Sequence, residues 1–396
     1  MDFDFHYTPE MEGFRKEVRA WLDQNVKPEF QAPADPLKLS YEQFKINREF
    51  SARLGERGWY APTWPKEYGG GGLKPEFAVV LEEELSAKID NHDNLFVSAG
   101  IGFMAAAGIL RLGTEEQKAR FLPPILQGKQ IVWELFTEPG AGSDLLSMTT
   151  SAVREGDQYV INGQKTFVGA IHDSDYMITL TNSNPQGPRG QNISAFMIPT
   201  NTPGVTVQSL DLIGGGGKRT IFFEDAKVPV VNRIGEENDG FKVFTGRREV
   251  PISLIVDRDR YVDRIMEHCR EHSYNGEPVS KDPDIQDLLV RTYIEYQTHR
   301  TLSKRNFWMG FTGQRFWYEG QQLGMNRKLL GPKIAQAMLT AIGPASLTDD
   351  ERWGALKGEA ELFTRDAIVM GHPGGTVEIH KLRLIRGLRG TTVFER

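Results

Sequence analysis

Apolar side chains in the first third of the chain recur at helical spacing. Phe14 and Val18 follow Thr8 and Pro9, a typical cap and first-turn pair, so the pattern predicts a helix that begins near residue 9. Similar spacing, or a run of small apolar residues, marks three more segments: 44–54, 77–85 and 96–112. We therefore predict an N-terminal helical domain over residues 1–129.

Alternation of apolar and polar residues replaces helical spacing from about residue 130. Residues 158–168 are typical of two strands around a turn at Asn162-Gly163. Further strands are predicted at four places: 176–180, 193–198, 205–210 and 220–223. The pattern predicts a middle β-domain over residues 130–239, most of it strand.

Helical spacing returns after Gly240 and continues almost to the end of the chain, which predicts a third, helical domain over residues 240–396. Blocks of helix, sheet and helix differ from βαβ alternation. The chain is therefore predicted to be an α+β multidomain protein without a parallel dinucleotide-binding sheet.

Composition and charge exclude several classes of function. A length of 396 residues exceeds one ordinary core, and a net charge of −6 argues against a nucleic-acid partner. No stretch approaches the roughly 20 apolar residues that span a bilayer, so we expect no membrane partner. The acidic start and the single cysteine, Cys269, favour a cytoplasmic protein in a reducing compartment.

The standard nucleotide-binding and nucleophile-elbow motifs are absent from the sequence. Residues 268–272 do fit H-x-x-E-H, which can place His268 and His272 on one helical face as zinc ligands. A five-residue match in a charged helix also arises by chance. We interpret it as a solvated helix end and predict no metal site, with a zinc hydrolase as the remote alternative.

Two segments at the start of the β-domain carry candidate chemistry. Residues 137–144 read T-E-P-G-A-G-S-D and offer hydroxyls and backbone N–H groups in a turn where glycines permit a planar ligand to approach. Residues 162–167 read N-G-Q-K-T-F and place an aromatic side chain beside a strand end. Taken alone, either segment is interpreted as an ordinary turn, with Phe167 of the second segment as a core phenylalanine.

Together the two segments closely resemble the signature of the acyl-CoA dehydrogenase family, T-E-P-x-A-G-S-D followed by N-G-x-K-x-[WF]. Further segments match the family's pattern in the same order along the chain, both before and after this signature: 64–70, 113–118, 121–123, 228–240 and 375–379. The resemblance implies a helical domain, a middle β-barrel and a C-terminal helical bundle. It also implies non-covalently bound FAD and an acyl-CoA substrate.

The resemblance also implies roles for individual residues. Thr137 and Ser143 would hydrogen-bond the flavin ring, and Phe167 would lie against it, where many members have Trp. The remaining cofactor-binding residues would be Leu135, Gly142, Val168 and Gly169 in the flavin cleft, Gly375, Thr376 and Glu378 near the phosphates and ribose, and Arg270 and Gln286 toward a neighbouring subunit's FAD.

The family reaction is α,β-desaturation of an acyl-CoA, in which a carboxylate removes the α-proton. Many members carry this Glu just before the terminal G-T, where this chain has Gly374, which keeps only a backbone N–H for the thioester oxygen. Others place it early in the helix after the barrel, where Glu249 is the nearest carboxylate, one or two positions early. We predict Glu249 as the base; the alternative is a salt-bridged carboxylate at a helix start.

The C-terminal region departs from the family in a second place. The segment 346–355 is short and lacks the Q-x-x-G-G-x-G-Y loop. This shortened C-terminus, with Gly-Gly-Thr near its end, resembles bacterial acyl-CoA dehydrogenases that degrade steroid side chains and alicyclic acids. That resemblance implies a homo-oligomer or a heterotetramer with a paralogous subunit, and electron-transfer flavoprotein as acceptor. A catalytically silent FAD-supporting subunit, or altered flavin or CoA-ester chemistry on the same fold, remain alternatives. The sequence does not encode the acyl group.

Overall fold

The computed structural model separates into two compact units, which we describe in turn. The N-terminal unit comprises Tyr7–Leu212 and Gly216–Ser253, and the C-terminal unit comprises Met1–His6, Ile213–Gly215 and Leu254–Arg396. The structure describes residues 6–27, 30, 33, 35–89, 99–169, 172–214, 217–245, 261–274, 276–314, 316–350, 352–369 and 371–389.

Helices form the first part of the N-terminal unit, as predicted. Their bounds are α1 Pro9–Asn25, α2 Tyr41–Glu56, α3 Pro75–Lys88, α4 Ala99–Leu112 and α5 Glu115–Leu126. The predicted start of α1 is confirmed: the Thr8 hydroxyl accepts a hydrogen bond from the Met11 N–H at 3.3 Å, and Pro9 occupies the first turn. A short helix, α6 Phe241–Thr245, follows the sheet.

A single eight-stranded sheet forms the middle of the N-terminal unit. Its strands are β1 Val132–Leu135, β2 Ser151–Glu155, β3 Gln158–Gly169, β4 Tyr176–Asn182, β5 Ile193–Pro199, β6 Val205–Leu210, β7 Lys218–Pro229 and β8 Arg233–Ile234. The order is β6-β7-β3-β2-β4-β5-β8, with β1 parallel to β4. One buried cluster lies within the sheet around Trp133 and Phe196, and another joins strand residues such as Ile178 to α4 and α5.

The predicted turn at Asn162-Gly163 was wrong. Strand β3 passes through both residues without reversing, and the reversal from β2 falls at Gly156-Asp157 instead. At Asn162-Gly163 the register against β7 shifts, as at a β-bulge. Gly163 has φ 139°, and a Cβ added there would lie 2.7 Å from Thr150 Cα. Glycine therefore serves close packing of two backbone segments and not a hairpin.

Replacing Gly163 with Ala should lower the free energy of unfolding by about 1–3 kcal/mol, because the Cβ meets Thr150 and the φ angle disfavours a side chain. Urea unfolding of the cofactor-free chain measures the change. Gly13→Ala is the control: Gly13 lies within α1, and none of the residues that the structure describes comes within 4 Å of an added Cβ, so Ala should be neutral or stabilising there. Equal unfolding midpoints for the parent and Gly163→Ala would show that Thr150 yields without cost.

The C-terminal unit is helical, as predicted, apart from one small hairpin. Its elements are α7 Tyr261–Glu271, β9 Ser273–Tyr274, β10 Glu277–Pro278, α8 Pro283–Phe311, α9 Glu319–Ile342, α10 Glu359–Val369 and α11 Val377–Leu388. Its core includes Ile265 of α7, Tyr296 of α8 and Met338 of α9. Across the described ranges of the whole chain, we find no helix with the length and apolar character that a bilayer crossing requires.

Candidate active site

The two signature segments lie side by side in the N-terminal unit. The backbone N–H of Thr166, on β3, donates to the carbonyl of Thr137 at 2.8 Å. After Thr137 the chain forms a tight turn, in which the N–H of Glu138 donates to the Ala141 carbonyl at 2.9 Å and the N–H of Ala141 returns the bond at 3.1 Å. The turn with the predicted hydroxyl donors is therefore fixed next to the strand with the predicted aromatic.

The outer face of this turn is open. Gly140, Gly142 and Ser143 are all exposed. Among the described residues, no atom lies within 4 Å of a Cβ added at Gly140, and the atom nearest to a Cβ added at Gly142 is Cγ2 of Thr137 at 3.9 Å. A ligand can therefore approach the backbone N–H groups and the Ser143 hydroxyl without displacing protein atoms.

Phe167 projects from β3 at an irregularity of the strand. The register of β3 against β7 shifts between Lys165 and Val168, and Phe167 has a left-handed φ of 57°. Its ring is 54% exposed, whereas Lys165 and Val168 on either side are buried. The bulge thus turns one aromatic ring outward beside the Thr137 turn, a strained conformation of the kind that collects at functional sites.

Three other predicted cleft residues differ from Phe167 in what they can offer. The side chains of Leu135 and Val168 are 0% and 1% exposed and pack in the core of the sheet. Gly169 ends β3 and has no side chain. Any contact of these residues with a cofactor therefore goes through the backbone.

A buried ion pair between Glu138 and Lys165 joins the two segments. No pattern in the sequence indicated this pair. Lys165 Nζ lies 2.8 Å from Glu138 Oε1, and the side chains are 0% and 3% exposed. Burial would raise the pKa of Glu138, but the charge of Lys165 and hydrogen bonds from Lys165, Thr149 and Thr150 outweigh it and lower the pKa to about 2. Burial lowers the pKa of Lys165 to about 8, although Glu138 opposes this.

The pKa of Glu138 predicts acid sensitivity. A carboxyl that titrates near 4.5 when unfolded and near 2 when folded stabilises the fold above about pH 4.5, and this contribution disappears as pH falls toward 2. It should amount to as much as about 3 kcal/mol. Urea unfolding of the cofactor-free chain at pH 5 and pH 3 measures it: the parent should lose more stability than Glu138→Gln. Parallel losses would contradict the assigned pKa.

In the C-terminal unit, four predicted residues form one turn at the start of α11. Gly374 and Gly375 have φ angles of 75° and 102°, and the Thr376 hydroxyl caps the helix by accepting from the Ile379 N–H at 3.3 Å. Glu378 is exposed in the first turn. No atom in the described part of the chain lies within 4 Å of a Cβ added at Gly374. The turn presents backbone N–H groups at a helix N-terminus, where anions are favoured.

Arg270 and Gln286 occupy exposed positions on α7 and α8. The amide of Gln286 donates to the Ser280 carbonyl at 2.8 Å. Within the described ranges, Arg270 makes no hydrogen bond or ion pair.

His268 and His272 form a stacked pair at the end of α7. Their ring centroids are 3.8 Å apart with an interplanar angle of 14°. Burial lowers the pKa of His268, and the neighbouring His272 adds to the shift. Cys269 between them is buried, which raises the pKa of its thiol. No group of three or more His, Cys, Asp or Glu side chains suited to a metal ion occurs in the part of the chain that the structure describes.

The predicted base, Glu249, lies outside the described residues, as do Asp257 and Asp259, the next carboxylates along the chain. Its assignment stays a prediction from the sequence. In the turn before α11, Gly374 offers a backbone N–H and no carboxylate.

Three family models match consecutive parts of the chain. The acyl-CoA dehydrogenase N-terminal domain matches residues 8–129, the middle domain matches residues 134–226 and the C-terminal domain matches residues 242–389. Together they cover the helical, sheet and helical parts in the order in which the structure has them.

Individual relatives agree with the family models. The acyl-CoA dehydrogenase IpdE1 of Mycobacterium tuberculosis is 34% identical over 306 residues, which are 74% of this chain and 76% of that protein. A chain of the ChsE4-ChsE5 complex from Mycobacterium tuberculosis is 26% identical with a TM-score of 0.81, over 99% of this chain and 100% of that one. A chain of the Tcur3481-Tcur3483 steroid ACAD is 26% identical with a TM-score of 0.79, over 99% of both chains. The chain therefore belongs to the acyl-CoA dehydrogenase family, whose members are FAD-dependent oxidoreductases of acyl-CoA metabolism.

Proposed function

We propose that this chain binds FAD and catalyses α,β-desaturation of an acyl-CoA thioester. One observation carries the proposal: the hydrogen bond from Thr166 to Thr137 holds the open 137–143 turn beside the exposed ring of Phe167. Hydroxyl and N–H donors next to an aromatic face suit a planar heteroaromatic ring with carbonyl and nitrogen acceptors.

The donor set at this turn therefore fits FAD. Thr137 and Ser143 would donate to the flavin ring, Phe167 would cover part of one face, and the backbone at Leu135, Gly142, Val168 and Gly169 would line the edge. A bound FAD would supply the acceptor for the β-hydrogen of the substrate, which leaves as a hydride.

The protein's own part in the reaction is the removal of the α-proton. Glu249 would accept this proton while the α-C–H electrons form the new double bond. The backbone N–H of Gly374 would donate to the thioester carbonyl and stabilise the negative charge that develops on it. In this proposal Glu249 is the general base, and the Gly374 N–H stabilises the charge that deprotonation creates.

The remaining predicted residues would hold the far end of the cofactor. Gly375 and Thr376 present N–H groups for phosphate at the start of α11, and the Glu378 carboxylate can accept from ribose hydroxyls. Arg270 and Gln286 would contact the FAD of a neighbouring subunit. The chain would then act as a homo-oligomer or as one partner of a heterotetramer, and the similarity to the ChsE4-ChsE5 complex supports the second arrangement.

Acceptor, location and substrate complete the proposal. Electron-transfer flavoprotein is the expected acceptor, and the single cysteine fits a cytoplasmic location. Similarity to the steroid ACAD makes a steroid side-chain acyl-CoA the first substrate to test.

Product analysis tests the proposed activity. The purified chain, loaded with FAD and supplied with an artificial electron acceptor, should convert an acyl-CoA into the 2-enoyl-CoA, which has two hydrogens fewer and is identified by mass spectrometry. A panel of linear, branched, alicyclic and steroid side-chain acyl-CoAs covers the substrate classes. Failure of the chain to hold FAD, alone and co-expressed with a paralogous partner, would contradict the proposal.

A catalytically silent subunit is the second candidate, and Gly374 is the observation that favours it. A chain without the usual carboxylate can support FAD binding in a complex whose base belongs to the partner. In that case the chain alone would bind FAD but form no enoyl-CoA, while the co-expressed complex would form it. Product from the chain alone excludes this candidate.

A further inference from the structure

Glu138 and Lys165 belong to the two signature segments, yet their buried side chains face away from the open side of the turn. We propose that they form a positioning pair that fixes the 137–143 turn and Phe167 in the mutual geometry that FAD requires. The inference rests on the proposed FAD site and adds to it two residues that have no direct role there.

The Glu138 carboxylate uses both of its oxygens to fasten the loop. Oε1 accepts from Lys165 Nζ at 2.8 Å and from the Thr150 N–H at 3.0 Å. Oε2 accepts from the N–H and the hydroxyl of Thr149 at 2.6 and 2.8 Å. Glu138 stands near the start of the loop and Thr149-Thr150 at its end. One side chain therefore holds both ends of the segment that carries Gly142 and Ser143.

Lys165 connects this loop to the strand that carries the aromatic. Its ammonium donates to Glu138 and to the carbonyl of Phe136 at 3.2 Å, just before Thr137. The register shift of β3 begins directly after Lys165, and Phe167 turns outward two residues later. The Thr150 hydroxyl adds a bond to the Gln164 carbonyl at 3.1 Å. Displacing Lys165 would therefore move the bulge and the loop relative to each other.

Stability alone gives a weak reason for a charged pair at this depth. The cost of removing two ions from water offsets much of their mutual attraction. A protein with well-packed apolar residues in place of a buried ion pair is often as stable as the original, or more stable. An apolar pair makes no directional bonds. A carboxylate that accepts four hydrogen bonds is held in one orientation, and this fixes the position of the loop atoms that donate to it. The arrangement thus favours a role in geometry.

The test compares two matched substitutions of buried carboxylates. Glu138→Gln keeps the size of the side chain and removes its charge. Glu84→Gln does the same at the α1–α3 contact, where Glu84, 7% exposed, accepts from Arg15 and Arg19. Both variants should lose stability. Only Glu138→Gln should alter the visible circular dichroism of bound FAD and raise the Kd for FAD. We expect a rise of about 10- to 100-fold, the size of the loss in metal affinity when a residue that hydrogen-bonds a metal ligand is substituted.

FAD titration by fluorescence quenching and the dichroism spectrum are read without turnover, so they separate this inference from the activity. Should Glu138→Gln fail to fold, the double variant E138Q/K165M leaves no unpaired buried charge and provides the same comparison. An unchanged Kd and an unchanged spectrum in a folded Glu138 variant would reduce the pair to a structural role. A parent chain that binds no FAD, alone or with a partner, would overturn the proposed function itself and this inference with it.

Discussion

Replacing Glu249 with Gln should slow flavin reduction by an acyl-CoA at least about 100-fold while FAD stays bound. The reason is chemical: Gln keeps the size of the side chain but cannot accept the α-proton. Gly374, at the other position that the family resemblance suggests for a base, has no carboxylate. Removal of a positioned general base typically costs a factor of this size.

Stopped-flow absorbance measures the rate of flavin reduction. The test applies if this chain forms enoyl-CoA without a partner subunit. Glu236→Gln is the matched control, because Glu236 is an exposed carboxylate in the segment that follows β8 and should leave the rate unchanged. Equal rates in the parent and Glu249→Gln would remove Glu249 from the mechanism. Asp257, Asp259 or a partner chain's glutamate would then be the next residues to substitute.

Replacing Arg270 with Gln should raise the Kd for FAD by about 10- to 100-fold, which corresponds to the loss of one charge-assisted hydrogen bond of about 1.5–3 kcal/mol. Arg270 is exposed and makes no bond within the described part of its own chain, as expected of a side chain that pairs with a neighbouring subunit's phosphates. Gln keeps a polar side chain but loses the charge and the planar fork that suit phosphate.

The control for Arg270 is Arg291→Gln, which removes an exposed arginine of α8 that already pairs with Asp287 at 2.7 Å. FAD titration gives the Kd, and light scattering follows the oligomer, which should remain intact in both variants. A strict monomer with full FAD occupancy would exclude a contribution from a neighbouring subunit. Equal Kd values for the parent and Arg270→Gln would exclude Arg270 as the contributing residue.

Local signals in the sequence were sufficient for most elements. Thr8-Pro9 marks the start of α1 because cap and first turn depend on neighbouring residues only. Strand β6 has the predicted bounds, 205–210. The Asn162-Gly163 turn failed for a tertiary reason: Gly163 packs against Thr150, and the Asn162 amide donates to Asp225 at 3.0 Å. Contacts between residues distant in sequence overrode a strong hairpin signal.

In the candidate site, too, local motifs were predictable from the sequence and contacts between distant residues were not. The motifs predicted that Thr137 and Phe167 belong together, and the Thr166–Thr137 hydrogen bond shows how closely their segments approach. Spacing along the chain did not reveal the Glu138–Lys165 pair, because the two residues are 27 positions apart and meet only in the folded sheet. Nor did it show that Leu135 and Val168 face the core, since burial is set by the whole sheet.

Anaerobic titration of the FAD-loaded protein with acyl-CoA tests whether this chain oxidises an acyl-CoA, because it isolates the transfer of hydrogen from substrate to flavin. We expect at least one member of the acyl-CoA panel to bleach the visible absorbance of the bound flavin within a single turnover, with the matching enoyl-CoA recovered from the same cuvette. Bound FAD that stays fully oxidised with every acyl-CoA, both in the chain alone and in a complex with a paralogous partner, would contradict it.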